Sequence, residues 1–380
     1  MNMNYLLNDD QRSILDLARK FSLTEILPKA AGLDRNAEFP EAIYQRAQEV
    51  GLIGVTIPIE YGGHGLGTTE LVLISEAFAY GCVGVATSLG LNALVTEGLL
   101  IAGDKKHKHE YLSRMAQGDL GCWGLTEPDA GSDVAGIRTH ARNVGNDYVI
   151  NGSKIWITNA SKSSFMIVFA KTKLDAGNKG LTAFIIDRNT PGLEVGPPLK
   201  KMGQRASPAC EIFLKDVVVP RQSILGEEGR GFQLAMKSFD RSRPMVAAFA
   251  VGLIQRCVDE TLAYSRTRRT MGKPIIEHQV IGHRLAEMRL RLEASRLLTY
   301  QAAWRLDNNL QATIQSSCAK SYACDSAMWA ASEAVQIHGG IGYSAELPIE
   351  KLFRDAKLLQ IYEGTSEIQH NIILREMQKE

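Results

Sequence analysis

Residues 353–369 read FRDAKLLQIYEGTSEIQ, two helix-forming halves parted by one glycine-bearing turn. Leu352, Ala356 and Leu359 recur at helical spacing, which predicts an amphipathic helix running up to about Gln360. Thr365 or Ser366 is placed to cap a second helix whose apolar positions are Ile368, Ile372 and Ile373. The joint holds Ile361, Tyr362, Glu363 and Gly364, a carboxylate between apolar and aromatic side chains, with a glycine that tolerates positive φ. A carboxylate in apolar surroundings has its pKa raised toward neutrality, as a general base requires. A solvated acid favoured by the macrodipole of the following helix is the competing account, and spacing leaves both open.

Outward from this joint the long segments are helical. Good helix formers dominate from Phe232 through Tyr264, from Ile281 to Leu306 and from Gln311 to Ile337, lengths that point to packed antiparallel helices. The first third is helical as well. Asn8 or Asp9 caps a helix with Ile14, Leu17, Ala18 and Phe21 on one face. Another follows Pro40, with Ile43, Tyr44, Ala47 and Val50 inward and Gly51 ending it. Leu71, Ile74, Ser75 and Phe78 resume the period, and further helices are expected from Ser88 to Ala102 and from Asp104 to Met115. Between Gly121 and Gly226 the pattern turns to short β-type runs at 148–150, 155–158, 165–169, 181–186 and 212–219. Asn151-Gly152 between two of them predicts a tight hairpin turn. The order is helical, then β, then helical.

Composition narrows the function classes. Lys and Arg number 43 against 42 Asp and Glu, which gives no broad basic footprint for nucleic acid. Cys82, Cys122, Cys210, Cys257, Cys318 and Cys324 show no CxxC spacing, so no metal site is expected and reduced cysteines are the simplest account. No apolar run is expected to span a membrane, Met245 to Ile254 being the best candidate. The opening MNMNYLLNDDQ shows neither a signal-peptide core nor an arginine-rich presequence, so a soluble intracellular protein is expected. No G-x-G-x-x-G follows a predicted strand and no P-loop is present, which argues against a Rossmann-type nicotinamide enzyme.

Six motifs together carry more. They are LTEPDAGSD at 125–133, KIWITN at 154–159, FDRSRP at 239–244, RTRRTMGKPI at 266–275, AVQIHGGIGY at 334–343 and the IYEGT turn. Taken singly, each has an ordinary reading: a linking turn, a core tryptophan, a surface ion pair. Taken together and in order, they resemble the flavin-dependent acyl-CoA dehydrogenases over essentially the whole chain, with most similarity to the medium-chain and short-chain branch. The resemblance implies an α+β fold: an N-terminal all-helical domain over 1–121, a middle β-barrel-like domain over 122–227, and a C-terminal antiparallel four-helix bundle over 228–380. It implies FAD as cofactor, contacted by Leu125, Thr126, Ser132, Trp156, Thr158, Arg268, Thr270, Gln279, Gln336, Gly340, Thr365 and Glu367. Trp and Thr suit a flavin, which needs a flat apolar wall and hydrogen-bond donors near N5; a forked arginine suits a pyrophosphate. Met271 departs from the family pattern, where Phe is frequent. His338 is given no role.

For substrate, the resemblance implies Ser132, Asp240, Arg243 and Gly364, and for catalysis Glu363. Related branches place the base on the helix carrying 239–244, where this chain has Ser242, which cannot serve. The implied reaction is α,β-dehydrogenation of a saturated short-to-medium-chain acyl-CoA thioester to the trans-2-enoyl-CoA. An electron-transferring flavoprotein is the implied electron acceptor, and a homotetramer, a dimer of dimers, the implied assembly. A branched-chain dehydrogenase or an acyl-CoA oxidase activity is the alternative on the same fold, and a non-enzymatic scaffold is the alternative outside it. A bacterial cytoplasm or a mitochondrial matrix would fit equally.

Overall fold

A computed structural model describes residues 7–379, so the expectation about a leader, as far as it concerns residues 1–6, lies outside the described residues. Helix α1 (Asp9–Phe21) begins at Asn8, whose Oδ1 accepts from the Gln11 N–H at 2.8 Å while Gln11 Oε1 accepts from the Asn8 N–H at 3.1 Å. This reciprocal capping satisfies two of the orphan donors of the first turn. Its buried stripe is Leu15, Ala18 and Phe21. Leu17, expected inward, is exposed, because a stripe centred on 15 and 18 leaves it on the flank.

After α2 (Ala30–Asn36) and α3 (Glu41–Glu49) come the long α4 (Thr68–Gly81) and α5 (Val83–Ala102). Two short helices follow, α6 (Lys105–His107) and α7 (Ser113–Ala116), joined by a π-helical turn over Lys108–Leu112. Helix α5 corrects two expectations. It starts at Val83, ahead of Ser88, and by length and composition it is apolar enough to cross a membrane. The fold takes up that surface, burying 72% of the apolar window inside the protein. Interspersed Gly84, Thr87, Ser88, Gly90 and Asn92 hid the run in the sequence. A helix that is apolar all round is one that is packed all round.

The middle of the chain forms β1 (Gly121–Gly124), β2 (His140–Val144), β3 (Asp147–Thr158), β4 (Phe165–Lys171), β5 (Leu181–Asp187), β6 (Leu193–Val195) and β7 (Ala209–Pro220). They make one sheet in the order β1-β4-β2-β3-β7-β6, with β5 added on β4. Strand alternation gives the sheet two cores. Phe165, Ile167 and Phe169 of β4 pack with Trp123, Leu94 and Leu99, on the side of α5. Met166, Val168 and Ala170 pack with Tyr148, Phe184 and Ile212 on the other side.

The expected hairpin at Asn151-Gly152 is not there. The β2–β3 turn falls at Gly145-Asn146, and Asn151-Gly152 lies inside the continuous strand β3, at a register shift against β7. The two residues serve packing. Asn151 Oδ1 accepts from the Asp216 N–H at 2.8 Å and its amide donates to Asp216 Oδ1 at 3.1 Å. Gly152 has φ 147°, and a Cβ there would stand 2.4 Å from Thr139 Oγ1. Only glycine fits so close an approach.

The last part is α8 (Gly231–Thr267), a small hairpin of β8 (Arg269–Thr270) and β9 (Lys273–Pro274), then α9 (Gln279–Asp307), α10 (Thr313–His338), α11 (Gly340–Tyr343), α12 (Ile349–Leu359) and α13 (Ser366–Met377). The first and last helical parts share one core: Phe21, Ile74 and Phe78 pack in the same cluster as Phe249, Val251, Ala327 and Ala331. Helix α8 is central to it, touching α4, α5, α9 and α10.

Candidate active site

The IYEGT turn lies between α12 and α13. The N–H groups of Ile361 and Tyr362 both return to Leu358 O, at 2.9 and 3.2 Å, closing α12. Glu363 then takes φ 52° and Gly364 φ 94°. Thr365 starts α13 by accepting from the Ile368 N–H at 3.3 Å. Left-handed backbone at a glutamate costs on the order of 1–3 kcal/mol and persists only where its surroundings enforce it. Here they do. Gly364 O accepts from Lys320 Nζ of α10 at 2.7 Å and from Gln369 Nε2 of α13 at 2.9 Å.

The reversed turn brings the Glu363 carboxylate to α8, where Ser242 Oγ donates to Glu363 Oε2 at 2.5 Å. Burial is the largest influence on this carboxyl and raises its pKa; the Ser242 hydrogen bond, Arg243 and Lys320 oppose it. Behind it, Arg243 is 2% exposed and donates to Asp240 Oδ1 at 2.5 Å, while Asp240 Oδ2 accepts from Thr313 Oγ1 at 3.0 Å. Asp240 and Arg243 thus pair with each other beside the turn, Arg243 buried and Asp240 partly exposed. Tyr362 OH lies 3.5 Å from Thr87 Oγ1 of α5, which donates to the buried Gln204 at 2.9 Å. Burial pushes the Tyr362 phenol far above its ordinary range, so it stays neutral.

The loop 125–133 and the strand segment 154–159 meet as one unit. Between Lys154 and Ile157 strand β3 bulges out of its ladder with β7. There the Ile155 N–H donates to Thr126 O at 3.0 Å, and Trp156 takes φ 62° with 55% of its surface exposed. Underneath, Lys154 is 0% exposed and its Nζ donates to Glu127 Oε1 at 2.6 Å and to Leu125 O at 3.2 Å. Glu127 also accepts from the N–H groups of Arg138 at 2.6 Å and Thr139 at 3.0 Å. Leu125 is buried, Thr126 and Thr158 are half-buried, and Ser132 is exposed. Just beyond Thr158, the Asn159 amide donates to Ser88 O at 2.8 Å. Thr87, next to Ser88, faces Tyr362, so the end of β3 and the Glu363 turn converge on the start of α5.

The other expected residues fall elsewhere. Thr365 and Glu367 belong to the Glu363 turn, Thr365 as the cap and Glu367 exposed in the first turn of α13. Arg268, Thr270, Gln279, Gln336 and Gly340 are exposed at the far end of the helical bundle. That end is tied together by the stacked rings of Tyr264 and His338, centroids 4.3 Å apart, and by the Arg284–Glu333 ion pair at 2.8 Å. Along α10, Gln336 stands about 24 Å from Lys320 at 1.5 Å per residue. One chain thus presents two separate groups of the expected residues.

Lys320, Lys154 and Glu127 were missed in the sequence. Lys320 had a readable signal. It falls in the buried stripe of α10 with Ser316, Ser317, Ala323, Cys324 and Ala327, where a lysine needs a partner. Glu127 lies in LTEPDAGSD and Lys154 in KIWITN, but pairing across the bulge is a tertiary property.

Family models for the acyl-CoA dehydrogenase N-terminal, middle and C-terminal domains match residues 8–119, 122–217 and 229–378. The chain is 40% identical to a probable acyl-CoA dehydrogenase of Bacillus subtilis, over 99% of this chain and 100% of that one. It is also 40% identical to a probable medium-chain specific acyl-CoA dehydrogenase of Caenorhabditis briggsae, over 98% and 91% of the two chains. The solved butyryl-CoA dehydrogenase of Megasphaera elsdenii superposes with a TM-score of 0.95 at 37% identity, covering all of both chains. The chain belongs to the acyl-CoA dehydrogenase family, oxidoreductases that act on CH–CH bonds with FAD as cofactor.

Proposed function

We propose that the protein dehydrogenates a saturated short-to-medium-chain acyl-CoA thioester to the trans-2-enoyl-CoA, with Glu363 as the base that takes the α-proton. The observation that carries this is the Glu363 carboxylate turned inward by a left-handed backbone and placed under Ser242, with burial raising its basicity. An α C–H beside a thioester is too weak an acid for a carboxylate in water, and desolvation narrows that gap. A hydrogen-bond donor aimed at the developing enolate oxygen is worth about 3 kcal/mol. The Glu363 N–H, which donates to no acceptor among the described residues, is the group of this chain assigned to that task. Acyl-chain positioning between the base and the cofactor fixes the two C–H bonds that break.

The residues present suit FAD. Trp156 is forced outward by its positive φ, an uncovered indole that offers a flat wall, with Thr126 and Thr158 beside it. FAD, when bound, supplies the two-electron acceptor that takes the β-hydrogen as hydride. Leu125, Thr126, Ser132, Trp156 and Thr158 would hold it on this chain, and Ser132, Asp240, Arg243 and Gly364 are assigned to the acyl-CoA. Arg268, Thr270, Gln279, Gln336 and Gly340, exposed and remote from Glu363, are assigned to the FAD of a neighbouring subunit in a homotetramer. An electron-transferring flavoprotein is the proposed electron acceptor.

The test is anaerobic mixing of the yellow holoprotein with butyryl-, hexanoyl- and octanoyl-CoA, reading the visible flavin band and the product mass. Bleaching with loss of two hydrogens from the thioester is expected. A flavin left oxidised by every saturated acyl-CoA overturns the proposal.

A further inference from the structure

Lys320 is fully enclosed in the middle of α10, and the chemistry assigned to Glu363 does not use it. Burying an ammonium is costly unless it is paired or hydrogen-bonded. Its protein hydrogen bond is to Gly364 O, at 2.7 Å, so the contact falls on the residue after the base, on the backbone that holds the base in its left-handed conformation. The only other donor to that carbonyl among the described residues is Gln369, which is itself buried.

The titratable groups around Lys320 and Glu363 come from three elements. Arg243 of α8 is neutralised in part by Asp240. From α10 come Lys320, Cys324 and Asp325, and Asp325 is occupied by Gln360 Nε2 at 2.7 Å and Ser366 Oγ at 2.8 Å. From the turn itself comes the neutral Tyr362. Arg243 is thus already shared with a carboxylate, and Lys320 is the nearby cation with no acidic hydrogen-bond partner among the described residues. Burial draws the Lys320 pKa down, while Glu363 is among the groups that hold it up.

We propose that Lys320 is the positioning residue of the base: its ammonium pins the Gly364 carbonyl, fixing the Glu363–Gly364 turn, and its charge favours the carboxylate form of Glu363. The inference rests on Glu363 being the base. It assigns to an interior lysine on a different helix, beside Ser242 and Arg243, a share in keeping a desolvated acid ionised. Without that charge the acid would take up its proton at higher pH and be spent as a base.

The experiment compares holoprotein carrying Lys320→Met, Lys320→Arg or Glu363→Gln with the unmodified protein. The rate of flavin bleaching by butyryl-CoA is followed anaerobically across pH. In Lys320→Met the acid limb should move up by about one pH unit, with the rate partly recovered at high pH. Lys320→Arg, which keeps the charge and a donor, should leave the limb near its original position. A purely structural role would lower the rate at every pH and leave the limb where it was, and that result overturns the inference. Should Lys320→Met not fold, Lys320→Gln removes the charge while keeping a donor and carries the same comparison. Normal bleaching by Glu363→Gln would instead remove Glu363 as the base, whereas an inactive Glu363→Gln with an unmoved limb in Lys320→Met removes only the role of Lys320.

Discussion

Ser242 Oγ stands 2.5 Å from Glu363 Oε2, so α8 offers a hydrogen-bond donor to the carboxylate proposed as the base. The hydrogen bond favours the ionised carboxyl and opposes the burial that raises its pKa. Removing it has a definite sign. In Ser242→Ala the Glu363 pKa rises further, so the base is lost to protonation at higher pH than before. A hydrogen bond to a charged group is worth about 1.5–3 kcal/mol. Flavin reduction should therefore fall several-fold on the acid side of the profile and recover as pH rises. A stopped-flow pH profile reads this directly, and an unchanged profile would remove Ser242 from the account.

Gly364 holds φ 94°, and a Cβ there would lie 2.6 Å from Gln369 Nε2. Gly364→Ala then combines backbone strain with a displaced amide that supports the turn. We expect a loss of about 1–3 kcal/mol in stability, seen as a lower thermal midpoint, together with a fall in the rate of flavin reduction. A variant of unchanged midpoint and rate would show that the turn tolerates a side chain.

The Lys154–Glu127 pair fastens the 125–133 loop to the bulge that exposes Trp156. Breaking a buried pair from one side leaves a charge stranded and costs about 3–5 kcal/mol. Lys154→Met should lose stability on that scale and hold flavin less tightly. Lys154→Met with Glu127→Gln should regain part of it, since no full charge then remains buried. Denaturant midpoints and the flavin-to-protein absorbance ratio follow both effects. Additive losses in the double variant would contradict the pairing.

Arg268 is exposed at the end of the bundle opposite Glu363, at the junction of α8 and β8. Assigned to a neighbouring subunit's FAD, its loss in Arg268→Ala removes a charge-assisted contact worth about 1.5–3 kcal/mol. FAD affinity should drop by roughly tenfold to a hundredfold while the isolated fold keeps its helical content. Titration of the apoprotein with FAD measures it, and unaltered affinity would place the pyrophosphate elsewhere.

Local patterns made most of this legible. Period-3.6 runs placed α3, α4, α9, α10 and α12, and the caps at Asn8 and Thr365 sit where the residue types put them. The α5 span was not legible because small polar residues interrupt an apolar helix that only packing reveals as mostly buried. The Asn151-Gly152 pair looked like a turn because its side chains suit one, but Thr139 and Asp216, distant in sequence, claim those same properties. That Glu363 stands on a turn between two helices was legible from its motif. What sets its proton affinity was not, since Ser242 and Lys320 reach it from 121 and 43 residues away in sequence, and only the packing of α8 and α10 brings them in.

The most direct test is Glu363→Gln, nearly the same size and without a basic oxygen. Purified with its flavin, it should keep the yellow visible spectrum and bind acyl-CoA, yet leave the flavin unbleached when butyryl- or octanoyl-CoA is added without oxygen. Bleaching at the rate of the unmodified protein would contradict the assignment of Glu363 as the base and, with it, the proposed chemistry of the turn.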